Sequence, residues 1–318
     1  MHPRLDIIIV NWNSGHQLQC CLNSILRADK ESFIVERVVV VDNASTDGSA
    51  EGVEDFDLPL CLIHNIENRG FAAACNQGAK GSKADYLLFL NPDTCLFKDS
   101  LTKPLTFMEQ KENRNIGILG IQLVDDNGQI SHTCARFPTP GRFFSKMFGL
   151  DRLFPKLFPS HFMTEWDHRE GRVVDQVIGA FFLVRRSIFE DLGGFDERFF
   201  VYFEDLDFAL RARQAGWHNF YLADVQAYHK GGGTSEQVKA TRLFYSLRSR
   251  ILYGYKHFGW WSATGLMLGT LLLEPLTRIA WAVIRRSGRD IIETINGYFM
   301  LWRALPALLE ATRKCDKL

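Results

Sequence analysis

Short, unbroken apolar runs punctuate the first half of the chain: Leu5 to Trp12 (LDIIIVNW), Glu36 to Asp42 (ERVVVVD), Leu60 to His64 and Tyr86 to Leu90. Their lack of polar alternation predicts strands buried on both faces, as inside a parallel sheet covered by helices. The segments between them change period. His16 to Leu26 places Leu18, Cys21, Leu22, Ile25 and Leu26 at helical spacing, and Phe71 to Lys80 and about Ser100 to Lys111 also read as helices. Residues 48–55 suit a short helix after the turn at Asn43-Ala-Ser-Thr-Asp-Gly48. Strand and helix alternating in this way predict an α/β fold with a Rossmann-like, mostly parallel sheet flanked by helices.

Further on, Ile116 to Val124 and Gln129 to Cys134 flank Asn127-Gly128, a sequence that favours a tight hairpin. Residues 135–170 are irregular and rich in Phe, Pro and basic residues, and a loop that long inside a compact domain is expected to be functional. Val173 to Arg185 reads as a strand pair or one bent strand, Ser187 to Leu192 and Phe203 to Ala215 as helices, and His218 to Ala223 as a short strand. From about Ser235 the pattern turns helical.

Several of these runs end in polar residues. Tyr86-Leu-Leu-Phe-Leu stops at Asn91-Pro92-Asp93, where proline cannot continue a central ladder. A carboxylate thus stands at the carboxyl end of a central strand, the edge where open α/β sheets bind ligands. Asp42 ends another strand, and Glu204-Asp205-Leu206-Asp207 forms a second acidic group. Carboxylates gathered along one edge suit a divalent cation holding phosphates.

Composition narrows the field. The 318 residues have a formal net charge of zero, so a nucleic-acid partner held by bulk electrostatics is not expected. The seven cysteines include no CxxC pair, which argues against a zinc knuckle and a disulfide framework. The first residues lack the basic and apolar regions of a signal peptide, and a cytoplasmic protein is expected. Asn13-Ser14-Gly15 after the first strand is not a dinucleotide fingerprint, and neither a Walker loop nor a GxSxG elbow occurs.

The order of Val41-Asp-Asn-Ala-Ser-Thr-Asp-Gly-Ser49, Asn68-Arg-Gly-Phe71 with Asn76, and Leu90-Asn-Pro-Asp-Thr94 resembles glycosyltransferase family 2. Gly179-Ala-Phe181, Gly193-Gly-Phe-Asp196, Phe203-Glu-Asp-Leu-Asp207 and His229-Lys-Gly-Gly-Gly-Thr-Ser235 continue the pattern over about residues 5–235. Within the family the chain is most similar to the rhamnosyltransferase branch.

That resemblance implies a GT-A fold, a nucleotide-sugar donor and inversion at the anomeric carbon. It implies a catalytic domain over residues 1–235, with a donor half to about 95 and an acceptor half from about 96. Asp42 would accept a hydrogen bond from N3–H of a uracil or thymine. Asn11 and Asn13 would hold the nucleoside or simply shape the turn. Arg69 would meet the base or the diphosphate, and Gly70 would let the backbone approach closely. Asn91 stands where many family members carry Asp, which leaves Asp93 as the main anionic ligand for Mn²⁺ or Mg²⁺. His229 occupies a third-ligand position, ahead of a glycine-rich loop able to fold over phosphates. Asp205 takes the position of the catalytic base, with Glu204, Gly179 and Ala180 on the acceptor side. The donor is expected to be a dTDP- or UDP-sugar, with dTDP-rhamnose favoured by the branch. The acceptor is expected to be a saccharide or polyprenyl-linked saccharide of the cell surface, with residues 135–170 shaping its choice. The alternatives are a non-catalytic sugar-nucleotide or glycan-binding module and, ranked last, a nucleotidyltransferase.

The last eighty residues have a different character. Phe258 to Leu273 carries no charge, Trp260 and Trp261 lie near one end, and residues 239–318 hold 13 Lys or Arg against 5 Asp or Glu. Such a tail fits an interfacial anchor on the inner face of the plasma membrane. A helical hairpin packed on the catalytic domain or on another subunit fits it too.

Overall fold

The computed structural model describes residues 2–231 and 238–313. The chain divides into two compact units. The first comprises Met1–Arg136, Phe162–Glu197 and Glu204–Thr234, and the second Phe137–His161, Arg198–Phe203 and Ser235–Leu318.

A nine-stranded sheet organises the first unit. Its parallel half is formed by β1 (Arg4–Asn11), β2 (Ile34–Asp42), β3 (Leu60–His64) and β4 (Tyr86–Leu90), in the spatial order β3-β2-β1-β4. Helices α1 (Gln17–Arg27) and α2 (Phe71–Ala79) make the first crossovers, and α1 buries Leu18, Cys21, Leu22 and Ile25, the face its periodicity predicts. β4 is the apolar spine of the unit, with every residue buried. Covering each such large side chain contributes about 1.5–3 kcal/mol.

Beyond β4 the sheet changes direction. After the short β5 (Thr94–Leu96) and α3 (Thr102–Glu109), β6 (Ile116–Val124) runs through the interior. The small strand β7 (Cys134–Ala135) and, later in the chain, β8 (Arg172–Val174) and β9 (Gln176–Val177) lie around it. β10 (Phe181–Arg185) inserts antiparallel between β4 and β6, and α6 (Arg186–Asp191) follows it directly. Helix α7 (Glu204–Gln214) then leads into β11 (His218–His229), parallel to β6 and antiparallel to β5 and β8.

Several expected elements differ. The Asn127-Gly128 turn forms, but the hairpin shrinks to one bridge between Val124 and Ile130, because β7 pairs with β9 instead. Val173 to Arg185 is three short strands rather than one or two. Residues 48–55 supply only a single turn at Val53–Asp55. β11 continues past Ala223 to His229, after a shift of register against β6 between Leu222 and Gln226. The stretch 135–170 is not wholly irregular, for it holds α4 (Pro140–Met147) and α5 (Leu150–Leu153). Thr139 starts α4 by accepting from the Arg142 N–H, with Pro140 at the first position.

In the second unit α4 and α5 join α8 (Lys239–His257), α9 (Trp260–Leu268), α10 (Glu274–Ile284), α11 (Gly288–Arg303) and α12 (Leu305–Arg313). A π-helical turn at Gly269–Leu273 joins α9 to α10, so Trp260–Ile284 runs as 25 helical residues. By length and composition it is the one candidate membrane span among the described residues. Its middle is not wholly apolar. Glu274 is buried against Arg250 of α8 and Arg278. Burial opposes its ionisation, but the two guanidinium charges outweigh that and hold the carboxyl below its ordinary range. α8 and α11 approach closely at Gly297, where a Cβ would lie 3.0 Å from the Ala240 carbonyl oxygen.

A close approach in the first unit is at Gly120 in β6, where a Cβ would lie 2.6 Å from Cβ of Val177. That atom cannot swing aside without moving the β9 backbone. We predict that Gly120→Ala lowers stability by about 1–3 kcal/mol, read as a shifted urea midpoint at unchanged slope. A midpoint equal to the wild type would show that this contact is not tight.

Candidate active site

The polar residues that end the parallel strands meet along one edge. In the sheet register Asn11 lies opposite Asp42, and Asp42 opposite His64. Asn11 is fully buried, and its amide donates to Asp42 Oδ1 at 3.0 Å and to the hydroxyls of Ser45 and Ser49 at 3.0 and 2.9 Å. Its own oxygen accepts from Ser14 at 2.5 Å. Asn11 is thus committed to orienting Asp42 and the 45–49 turn. Asn13 has a left-handed φ of 49° and accepts from the Thr46 N–H at 2.8 Å, which is the turn role foreseen as its alternative.

The second oxygen of Asp42 faces Nδ1 of His64 at 3.5 Å. A cavity of about 590 Å³ opens beside them, lined among others by Ser45, Thr46, Ser49, Glu51 and Leu62. Asn43 ties the next loop to this edge. Its oxygen accepts from the Arg69 N–H at 3.0 Å, and its amide donates to Asn68 Oδ1 at 2.9 Å and to the Gly70 carbonyl at 3.2 Å. The Arg69 side chain is exposed on this fixed backbone. Gly70, with φ 86° and ψ 164°, makes the turn into α2 through a conformation that a side chain would strain.

β4 ends at a second cluster. β11 pairs with β5 so that His229 lies opposite Thr94, beside Asp93. His229 Nε2 comes within 3.3 Å of Asp93 Oδ1, both side chains being nearly nine-tenths covered. A carboxylate and an imidazole are a sound pair of donors for Mn²⁺, though among the described residues no group of three suitable ligands occurs. The remaining positions would fall to diphosphate oxygens and water. Asn91 is held through its backbone, donating to the Ala180 carbonyl at 3.0 Å and accepting from the Thr94 N–H at 3.1 Å. The glycine-rich segment after His229 lies, beyond Gly231, outside the described residues.

The acidic pair on α7 reaches this edge through Gly179 and Ala180. Asp205 Oδ2 accepts from the Gly179 N–H at 2.9 Å, and Oδ1 from the Leu206 N–H at 2.7 Å. Glu204 is buried, and its Oε2 has no hydrogen-bond partner. Burial and then the Asp205 charge push the Glu204 carboxyl well above its usual range. Burial raises Asp205 too, but the Leu206 and Gly179 N–H groups and the Gln176 side chain favour its anion. Burial thus pushes both adjoining carboxyls toward the protonated form, Glu204 without a hydrogen-bond partner for one oxygen and Asp205 with two backbone N–H donors. Asp207 turns the other way, onto Arg211 at 2.8 Å, while that guanidinium also donates to the carbonyls of Leu192 and Gly194.

The edge therefore gathers Asp42, Asn91, Asp93, Gly179, Ala180, Asp205 and His229. Gln176, His64, Asn43 and the serines at 45 and 49 were not foreseen. Asn43, Ser45 and Ser49, inside a recognised motif, and His64, at a strand end, carried a usable sequence signal, and Gln176 did not.

A mostly parallel α/β sheet that presents acidic residues along its carboxyl edge is the architecture of the GT-A glycosyltransferases. The chain belongs to glycosyl transferase family 2, whose sequence profile matches residues 6–193, and it is a glycosyltransferase. It is 26% identical over 312 residues to the N-acetylglucosaminyl-diphospho-decaprenol L-rhamnosyltransferase of Mycobacterium tuberculosis, covering 92% of this chain and 98% of that protein. It is 28% identical to rhamnosyltransferase WbbL of Escherichia coli, over 72% of this chain and 80% of that one. Among solved structures it resembles the mannosyltransferase PcManGT of Pyrobaculum calidifontis, in complex with GDP-Man and Mn²⁺. The TM-score is 0.56 at 18% identity, over 100% of this chain and 89% of that one. It also resembles GalNAc-T7 with UDP, GalNAc and Mn²⁺, with a TM-score of 0.58 at 14% identity over 84% and 50% of the two chains.

The charge state of Glu204 has a consequence for stability. Its folded pKa is raised, so the native state loses stability as pH rises through that value. Glu204→Gln removes the ionisation and is predicted to raise stability at pH 8 by on the order of 1 kcal/mol. At pH 4 no gain is expected. Thermal melts at the two pH values check this, and an equal gain at both would contradict it.

Proposed function

We propose that this glycosyltransferase is an inverting enzyme that moves a sugar from a nucleoside-diphosphate donor to a hydroxyl of a saccharide acceptor. The observation that carries the reading is the placement of Asp205. Its carboxylate accepts from two backbone N–H groups, one of them that of Gly179, the neighbour of the Ala180 whose carbonyl fixes Asn91. The names of the rhamnosyltransferase relatives support L-rhamnose as the sugar, with dTDP-rhamnose as donor. The name of the mycobacterial relative also supports a polyprenyl-diphosphate-linked acceptor. That acceptor would belong to cell-surface polysaccharide synthesis on the inner face of the plasma membrane, where the catalytic domain and a membrane-associated helical region would work together.

On this reading Asp42, fixed by Asn11, accepts from N3–H of the thymine or uracil ring, and the neighbouring cavity receives the nucleoside. Asn13 holds the turn that frames this cavity. The exposed Arg69 meets the diphosphate, and Gly70 keeps that approach open. Asp93 and His229 would hold a divalent cation, with Asn91 beside them; that cation would neutralise charge on the diphosphate. The Mn²⁺ in the complexes of the two solved neighbours supports such a cation.

Gly179 and Ala180 border the acceptor hydroxyl. Glu204 orients the acceptor, and Asp205 takes the attacking hydroxyl's proton. The acceptor oxygen bonds to the anomeric carbon as the bond to the diphosphate oxygen breaks. That bond's electron pair leaves with the nucleoside diphosphate, so the configuration inverts.

Asp205→Asn preserves shape and removes the base. We predict unchanged donor affinity by calorimetry and a loss of about 10²–10⁴ in kcat. The donor is identified by released nucleotide from dTDP-rhamnose, UDP-glucose, UDP-galactose, UDP-N-acetylglucosamine or a GDP-sugar, with Mn²⁺, Mg²⁺ or EDTA. Release from one donor, abolished by EDTA and by Asp93→Ala, is the expected result. Wild-type transfer by Asp205→Asn would end the base assignment.

A further inference from the structure

Most of the large apolar side chains that stand exposed among the described residues belong to the second unit. They follow a pattern. Along Trp260–Ile284, Trp261, Leu268, Leu272, Leu276 and Val283 recur at four- and seven-residue spacing, one stripe of a helix. On α11, Ile292, Ile295, Phe299 and Trp302 make a second stripe. The turn between these helices carries Arg285 and Arg286 directly after Ile284, which is 69% exposed, and Arg289 lies in the first turn of α11, all three arginines being exposed.

A third apolar group comes from a distant part of the sequence. Phe148, Leu153, Phe154 and Leu157 are exposed, Leu157 to 75%, with the exposed Lys146 and Lys156 among them. This arm is fixed to the long helix. Thr277 donates to the Met147 carbonyl at 2.9 Å, Met147 Sδ would lie 2.8 Å from a Cβ on Gly269, and the Trp281 ring nitrogen 3.2 Å from one on Gly149. The arm therefore lies beside the residues whose neighbours Leu268, Leu272 and Leu276 point outward.

We propose that these two segments, Phe137–His161 and Trp260–Arg303, form one monotopic docking surface for an anionic lipid leaflet. The arm around Phe154 and Leu157 inserts alongside the long helix. This deepens the membrane assignment made above and rests on it. It also moves the stretch around residues 140–157 from acceptor selection to membrane contact. Charge selects the occupant. A second copy would set Arg285, Arg286 and Arg289 against their like, whereas phosphate headgroups complement them while the acyl region receives the leucines and aromatics. Trp260 and Trp261, the latter 83% exposed, suit the boundary between headgroups and chains. The long helix lies in the interface and does not cross, because its other face is occupied by Glu274 with Arg250 and by Met147.

The test uses the full chain, floated with vesicles of phosphatidylcholine alone or with phosphatidylglycerol. The wild type is expected to float with the anionic vesicles only, and high salt to weaken the association. Phe154→Ser with Leu157→Ser removes two buried-in-lipid side chains and should lower partitioning by about tenfold or more. Arg285→Glu with Arg286→Glu should abolish the preference for anionic vesicles. Both variants should keep the wild-type Tm and donor hydrolysis, which separates failure of this surface from failure of the transferase reading. Undiminished flotation of the Phe154/Leu157 variant would overturn the proposal. So would a wild-type dimer in sedimentation that those substitutions dissolve, since a second copy would then cover the face.

Discussion

The antiparallel seam between β4 and β10 is the contact on which the catalytic edge depends. Leu90 pairs with Phe181, and the ladder runs one step further, from the Asn91 N–H to the Ala180 carbonyl. Gly179, the next residue, gives its N–H to Asp205. A strand otherwise present for burial thus joins the Asn91-Pro92-Asp93 corner to the first turn of α7. The register matters because a slip of one residue would turn every β10 side chain over and carry Gly179 away from Asp205. Phe181, Phe182, Leu183 and Val184 are all buried and oppose such a slip.

The same edge gathers charge where the sheet provides little water. Glu204, Asp205 and Asp207 open α7, and Asp42 and Asp93 end or follow strands. Each is treated differently. Asp207 is neutralised by Arg211, Asp42 is held by an amide and faces an imidazole, and Asp93 lies against His229. Glu204 is left without a partner for one oxygen. Unrelieved burial of this kind opposes stability and is characteristic of sites kept for function. The chain enters this helix through Tyr202 and Phe203, both at left-handed φ, a second local expense concentrated next to the acidic pair.

The parallel half of the sheet was legible because its strands are unbroken apolar runs, a signal strong enough to place Asp42 and the 91–93 corner. The later half was not. β5, β8 and β9 span two or three residues and exist only through tertiary pairing, so the meeting of His229 with Asp93 came from family likeness rather than from pattern. The family likeness offered Asn11 as a nucleoside contact or a turn residue, and its internal acceptors Asp42, Ser45 and Ser49 became visible only in the fold. The aromatics of 140–157 hid two short helices, since Phe144 and Met147 there pack on residues more than a hundred positions away. The helical tail was plain, whereas the continuous 25-residue helix across Glu274 was not, because a buried ion pair hides the charge that breaks the apolar run.

The most direct test of the central claim is a crystal structure with Mn²⁺ and dTDP-rhamnose, with the metal located by anomalous scattering. The account predicts one strong peak bonded to Asp93 and His229, the diphosphate on that ion, the base against Asp42, and the anomeric carbon facing Asp205. A donor bound with its base away from Asp42, or an ion seated elsewhere with Asp205 turned from the sugar, would contradict it.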